Sequence, residues 1–229
     1  MRRALLAGGG LALAGLLVMP VDVPIAQFCA ADGLPGELER LLQRAETFGH
    51  GYGVVLIVAT IFVVHPASRR RLPQVLVCSL GAGLAANVVK LLVARTRPRA
   101  FNLARGVLDS FQGLVPITGP DGWNSLLDHN IHAFPSAHAA TAAGLAVALG
   151  RLYPLGRWWF AALATLVCFQ RIAVGAHFPS DTLCGAALGL IFSSWCLRPR
   201  PAADAAAKAS QGNEASLEAA TSPHLPRAA

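Results

Sequence analysis

A cation, an imidazole and a carboxylate lie within one short stretch of this sequence, between two strongly apolar segments. The stretch runs from Gln170 to Asp181 and contains Arg171 and His177. A carboxylate four residues after a histidine can fix the imidazole tautomer through one ring nitrogen and leave the other nitrogen free. Arg171 adds a fixed positive charge beside that pair. The pattern indicates nucleophilic or acid–base chemistry on an anion, and its alternative is a local hydrogen bond without function.

Two more polar groups lie at the ends of other apolar segments. Lys90 and Arg97 are seven residues apart, so both would lie on one helical face if the helix continued that far. The tetrapeptide Pro135-Ser136-Ala137-His138 is expected to open a helix, where free backbone N–H groups and the Ser136 hydroxyl favour an anion. Together with Arg171 and the two histidines, these groups predict a pocket for phosphate and the charge of a phosphoryl transition state.

Each of these residues also has a simpler interpretation when it is considered alone. Lys90 and Arg97 could be interfacial anchors that extend their charges toward the headgroups. His138 could be a helix-start histidine with a satisfied ring. His129 and His132 have no spacing that predicts a role. The assignment to one site therefore depends on all three groups meeting in space.

Composition predicts an integral membrane protein. Of 229 residues, 54% are hydrophobic and only 14% are charged, which is too apolar for an ordinary soluble domain. The net charge of +7 comes from short basic clusters beside apolar runs, which favours a membrane surface over nucleic acid as the partner. None of the five cysteines forms a Cys-x-x-Cys pair, so no disulfide framework or zinc site is expected.

The apolar runs predict an all-α polytopic bundle of about six transmembrane helices. Residues 1–47 would hold a first membrane helix, retained in preference to a cleaved signal, followed by an interfacial amphipathic helix over 21–47. Residues 48–197 would form the catalytic core, and 198–229 a disordered cytoplasmic tail. The predicted spans cover residues 4–19, 48–65, 72–94, 134–150, 158–170 and 182–197, and the last helix is expected to begin near Pro179.

Alternation of these spans predicts on which side of the membrane the polar groups lie. The basic residues expected in the cytoplasm are those of Met1–Arg3 and Arg69–Arg71, with Arg151, Arg157, Arg198 and Arg200. All three candidate site groups then lie at the opposite, outer interface. In a bacterium this would be the inner membrane, with the site facing the periplasm.

The three groups resemble the signature of the type-2 phosphatidic acid phosphatase and vanadium haloperoxidase superfamily. The matching residues are Lys90 and, six residues on, Arg97-Pro98; then Pro135-Ser136-Ala137-His138; then Arg171, His177 and Asp181. The family usually has Gly where Ala137 stands and Ser where Gln170 stands. Ala137 keeps the backbone N–H, whereas Gln170 exchanges a hydroxyl for an amide.

The resemblance implies a role for each matched residue. His177 would be the nucleophile that forms a phosphohistidine, Asp181 would orient it, and His138 would protonate the leaving oxygen and later activate water. The groups that hold the phosphoryl oxygens would be Lys90, Arg97, Ser136, the Ala137 N–H and Arg171. Neither a metal nor another cofactor is implied, since the cations neutralise the phosphate.

The most direct interpretation is a membrane phosphatase acting on a phospholipid, an isoprenoid diphosphate or a lipid A type substrate. A lipid-linked phosphotransferase would use the same intermediate but pass the phosphoryl group to another acceptor. A lipid-binding or transport protein without catalysis is disfavoured, because binding requires cations but no paired histidines and carboxylate. Haloperoxidase chemistry is disfavoured by the predicted membrane spans.

Overall fold

The computed structural model describes residues 2–31, 35–113 and 128–198, and these residues form a helical bundle with one small sheet. Met1–Leu197 is one compact unit. The predicted tail and residues 114–127 of the long loop lie outside the described residues. The described helices are α1 Arg2–Val18, α2 Asp22–Ala31, α3 Gly36–Ala45, α4 Gly51–Val64, α5 Leu72–Lys90, α6 Ala137–Leu152, α7 Arg157–Ala173 and α8 Pro179–Cys196.

The first membrane helix is longer than the sequence predicted. A 3-10 turn at Met19–Val21 joins α1 to α2, and Leu5–Ala31 is apolar and long enough to cross a bilayer. The predicted amphipathic helix over 21–47 was therefore wrong in extent, because the apolar residues 22–31 continue the first helix. The amphipathic segment is α3 alone, which buries Leu42 and exposes its charged residues.

Two other segments meet the length and composition of a membrane span. Pro66–Lys90 does so as one helix, and Gly36–Gly49 with Gly51–Val64 does so as a pair bent by 71°. Because α6 and α7 have only 16 and 17 residues, a count of six spans stays a prediction.

Helix α6 occupies the centre of the bundle and packs against α5, α7 and α8. Ala139, Ala140 and Ala142 are completely buried. A Cβ atom on Gly144 would collide with the Cys78 backbone of α5, and one on Gly189 of α8 would collide with the Ala140 carbonyl. The helices therefore pack closely through small residues, and this packing fixes the start of α6 relative to α8.

The segment after α5 differs from the prediction. The helix ends at Lys90, and the chain then forms β1 Ala94–Arg95, which pairs antiparallel with β2 Phe111–Gly113. Lys90 and Arg97 are thus not on one continuous helical face, and that step of the prediction was wrong. An extended strand replaces the helix because it hydrogen-bonds across the small sheet, and Pro98 follows. Arg97 reaches the site from a loop instead.

Candidate active site

Backbone hydrogen bonds join the three predicted motifs directly. The Arg99 N–H donates to the Gly175 carbonyl at 3.1 Å, and the Ala133 N–H donates to the Arg95 carbonyl at 3.0 Å. The Ser136 N–H donates to the Asp181 carbonyl, also at 3.0 Å. The three groups therefore meet at one end of the bundle through main-chain contacts that do not depend on side-chain rotamers.

The second motif begins α6 as predicted. Ser136 is the N-cap residue, is fully buried, and accepts a hydrogen bond from the Ala139 N–H at 3.4 Å. Ala137 and His138 follow in the first turn and are half-buried. A Cβ atom on Gly185 of α8 would collide with the Ser136 carbonyl, so a glycine is needed where α8 crosses this turn. The first turn of α6 therefore presents its N–H groups and the His138 ring from a rigid position.

The third motif turns sharply between α7 and α8. Gly175 has φ of +63°, a left-handed conformation that glycine adopts without a steric penalty. The Ala176 and His177 N–H groups both donate to the Arg171 carbonyl at 3.1 Å. Helix α8 begins at Pro179, as the sequence predicted. This turn brings Arg171, in the last turn of α7, close to His177.

His177 is 2% exposed, and its ring has a defined hydrogen bond. Its Nδ1 lies 2.7 Å from the Ala133 carbonyl oxygen, which can only accept, so Nδ1 carries the proton. Nε2 then keeps a lone pair. Burial lowers the pKa of His177 to about 4, against the opposing effect of Asp181. The ring is accordingly neutral near pH 7, the form that a nucleophile needs.

Asp181 interacts with His177 at longer range than a hydrogen bond. Its Oδ2 is 3.8 Å from His177 Nδ1, beyond hydrogen-bonding distance, and instead accepts from the Phe178 N–H at 2.8 Å. The orientation of His177 by Asp181 stays a prediction. The ring is held by the Ala133 carbonyl, and the turn that carries it is stabilised by the hydrogen bond from the Phe178 N–H to Asp181.

The three predicted cations surround the histidines. Lys90 and Arg171 are each 9% exposed, and both interact electrostatically with Arg97 and with His138 or His177. Burial and the neighbouring charges of Arg99 and Arg171 lower the pKa of Arg97. Within the described residues, the Nε atoms of Arg97 and Arg171 are buried without a hydrogen-bond partner. Such a concentration of like charge is stabilised by a bound anion.

Arg95 is a residue of this site that the sequence interpretation missed. Its fully buried guanidinium lies 4.4 Å from the ring centroids of both Phe111 and Phe178. Its hydrogen-bond partners are Ser110 Oγ at 3.0 Å, Ser180 Oγ at 2.7 Å, Asp22 Oδ2 at 2.7 Å and Asp181 Oδ1. Arg95 thereby connects the catalytic candidate Asp181 to the first helical segment. The Arg-x-Arg-Pro pattern marked Arg95 only as a neighbour of Arg97.

Glu46 is the second residue that was missed, and it belongs to a 3-10 turn at Glu46–Gly49. Its Oε1 forms an ion pair with Arg171 Nη1 and lies 3.4 Å from His138 Nε2. Its Oε2 accepts from Gln170 Nε2 at 3.1 Å. The only sequence signal for this contact was the unusual Gln170, whose buried amide has Glu46 as its partner.

His132 has a local structural contact, and its Nδ1 lies 3.2 Å from the Lys90 carbonyl oxygen at the end of α5. Taken together, backbone hydrogen bonds and electrostatic contacts bring the three predicted motifs together at one end of the bundle. The arrangement provides a neutral buried imidazole, a second imidazole, three cations and a helix N-terminus. It can bind a tetrahedral anion and transfer a group on that anion to nitrogen.

The fold and these motifs place the chain in one protein family. Residues 71–205 match the model of the PAP2 superfamily, and the chain belongs to that family. The match covers all three motifs.

Curated relatives include the lipid A 1-phosphatases of Rhizobium johnstonii and Rhizobium etli, each 34% identical over 112 residues. Those alignments cover 49% of this chain but only 41% and 43% of the relatives, so the chain spans less than half of their length. The decaprenylphosphoryl-5-phosphoribose phosphatase of Mycolicibacterium smegmatis is 29% identical over 71% of this chain and 79% of that protein.

Two solved structures share the fold. LpxE of Aquifex aeolicus aligns with a TM-score of 0.55 and 16% identity, covering 77% of this chain and 94% of that chain. A transmembrane PAP2-type phosphatidylglycerolphosphate phosphatase from Bacillus subtilis aligns with a TM-score of 0.51 and 18% identity, covering 82% and 93%. The chain thus shares the helical fold of these two structures.

Proposed function

We propose that this protein hydrolyses a lipid phosphate ester or diphosphate through a phosphohistidine on His177, without a metal ion. The observation that carries the proposal is the His177 ring itself. Its Nδ1–H is held by the Ala133 carbonyl, its pKa is lowered by burial, and the positive charges of Lys90 and Arg97 act on it. This combination supports a neutral nitrogen nucleophile facing a multiply charged anion.

In the first step His177 Nε2 attacks phosphorus and the bond from phosphorus to the leaving oxygen breaks. His138, at the start of α6, gives its proton to that oxygen. Lys90, Arg97 and Arg171, with the Ser136 hydroxyl and the Ala137 N–H, hold the three phosphoryl oxygens. These fixed donors stabilise charge as it spreads in the transition state.

In the second step His138 accepts a proton from water, and the resulting oxygen attacks the phosphorus of phosphohistidine. The P–N bond breaks and inorganic phosphate leaves, which returns His177 to its neutral form. The Nδ1–H contact with Ala133 is maintained in both steps, so the ring does not need to rotate.

The substrate is a lipid whose phosphate reaches the membrane interface. The names of the curated relatives support this class, since they act on lipid A and on a decaprenyl-linked phosphoribose. An outer-facing site is supported by α5, whose Lys90 end lies at the site while Arg69–Arg71 precede its other end. A helix of 19 residues spans about 28 Å, close to the hydrocarbon thickness.

The orientation of the protein in the membrane is tested with topology reporters fused to the chain. A reporter fused after Arg71 should lie in the cytoplasm, and one placed after Gly113 should lie outside. Finding both on one side would overturn the proposed orientation.

The chemistry is tested by rapid acid-free quenching of purified protein with a lipid phosphate, followed by peptide mass spectrometry. Phosphate should be released without an added acceptor, and a phosphoryl group should be found on His177. His177→Asn should abolish both signals, whereas the exposed His129→Asn should retain them. Phosphorylation of another residue, or phosphate transfer only with an acceptor, would refute the proposal.

A further inference from the structure

Glu46 is a second carboxylate of the site besides Asp181, and it lies directly against one of the site's cations. Its side chain is 31% exposed and contacts both Arg171 and His138 Nε2, the atom proposed to protonate the leaving oxygen. A site that only bound phosphate would be weakened by a negative charge at this position. We therefore relate the negative charge of Glu46 to the leaving group of the substrate and not to its phosphate.

The position of Glu46 is fixed by its surroundings. A Cβ atom on Gly49, three residues later, would collide with the His138 carbonyl and with Val167 of α7. The buried Gln170 amide donates to Glu46 Oε2 at 3.1 Å. The turn that carries Glu46 is thus packed tightly against α6 and α7.

A cavity of about 270 Å³ adjoins the His138 side of the site. Its lining includes His50, Asn87 and Thr141 together with His138, and the His50 and His138 ring centroids are 5.4 Å apart. Among the described residues that line it there is neither lysine nor arginine. Neutral polar groups thus line the side of the site next to His138, and Glu46 lies between Arg171 and His138, where that side meets the cations.

We propose, on the basis of the function proposed above, that Glu46 selects phosphomonoesters of uncharged, hydroxyl-bearing alcohols over diphosphates. A hydroxyl of a glycerol or sugar headgroup can donate a hydrogen bond to the carboxylate. A second phosphate in the same place would face Glu46 and would find no cation lining the cavity. Like charges brought together in a partly desolvated site are strongly disfavoured, so the diphosphate is rejected.

The test compares farnesyl diphosphate with farnesyl monophosphate, which share one chain and differ in the charge of the leaving group. A lysophosphatidate provides an uncharged leaving group, a monoacylglycerol, with a free hydroxyl. For the native protein and for Glu46→Gln, kcat/KM is measured on all three in detergent micelles. Glu46→Gln should raise the ratio of diphosphate to monophosphate hydrolysis by about 10-fold or more, and should lower the preference for the lysophosphatidate over farnesyl monophosphate.

Two variants serve as controls. Glu46→Asp keeps the charge and should keep the native order of preference, and Glu39→Gln removes an exposed carboxylate of α3 and should change neither ratio. If Glu46→Gln does not remain monodisperse in detergent, Glu46→Ser removes the same charge and should shift the ratio in the same direction.

The outcomes separate the two proposals. Unchanged ratios in both uncharged variants, with phosphate still released, would overturn the role of Glu46 and leave the proposed function standing. If the native protein released phosphate from none of the three substrates, the proposed function would be refuted, and the proposed selectivity with it.

Discussion

Arg95 Nη2 lies 2.7 Å from Asp22 Oδ2, and both side chains are completely buried. The same guanidinium donates to Asp181 through Nη1, and Ser180 Oγ lies 2.5 Å from Asp22. One arginine thus stands between two carboxylates, one from the first helical segment and one from the third motif. Removing the arginine would leave two buried negative charges without a counterion.

Arg95→Met should therefore destabilise the protein by about 3–5 kcal/mol, the typical result of breaking a buried ion pair from one side. Thermal unfolding in detergent measures this effect. Arg105→Met, which removes an exposed arginine from the same loop, should leave the melting temperature nearly unchanged. Equal shifts in the two variants would show that the buried network contributes nothing specific.

The two histidines should respond differently to the leaving group. His138→Ala loses the proton donor, so on a lipid phosphate its first step should slow severely, because an alkoxide leaves poorly. An activated aryl phosphate departs without that proton, so this variant should still show a burst of phenol. His177→Ala lacks the attacking atom and should show no burst on either substrate. A burst from His177→Ala but none from His138→Ala would show that His138 is the nucleophile and His177 the proton donor.

The protonation of His177 gives a prediction about pH. Burial lowers its pKa to about 4, compared with about 6.5 for an unperturbed imidazole. A lowered pKa favours the neutral ring, so the proton binds only as the pH falls through about 4. The ¹³Cε1 resonance of His177, assigned with His177→Asn, should stay constant from about pH 8 to about pH 5 in the substrate-free protein. A midpoint near 6.5 would contradict the buried neutral nucleophile.

Removing metal ions tests whether the protein's own cations are sufficient to neutralise the bound phosphate. Lys90, Arg97 and Arg171 would supply the positive charge that a divalent ion provides in other phosphatases. Activity should survive EDTA, and vanadate, which mimics five-coordinate phosphorus, should inhibit it. A magnesium-dependent phosphatase assayed in the same detergent controls for effective chelation. Loss of activity in EDTA with recovery in magnesium would refute the proposed site.

The local parts of the site could be predicted from the sequence. The start of α6 at Ala137 and the start of α8 at Pro179 follow from capping and proline signals that act over a few residues. The Lys90–Arg97 relationship failed because helical spacing cannot reveal that β1 ends the helix by pairing with β2.

The long-range contacts could not be predicted. Glu46 is 125 residues from Arg171, and Asp22 is 73 residues from Arg95. Neither carboxylate lies in a motif, and each resembles an ordinary charged residue near a helix end. Their partners become evident only once the packing of α3, α7 and α8 is known. The unusual Gln170 was the one local indication of the first contact.

The packing of α1 against α8 has a consequence for biosynthesis. Gly8 faces Ile191 and Gly15 faces Cys184 without room for a Cβ atom, and the Ser180 N–H donates to Asp22, 158 residues earlier in the chain. At typical translation rates of about 5–20 residues per second, α1 waits roughly 10–30 s in the membrane before its partner is made. Until α8 is made, the nascent protein therefore lacks the Ser180 contacts of Asp22 and carries an uncovered small-residue face, and the candidate site can be completed only after α8 has been inserted.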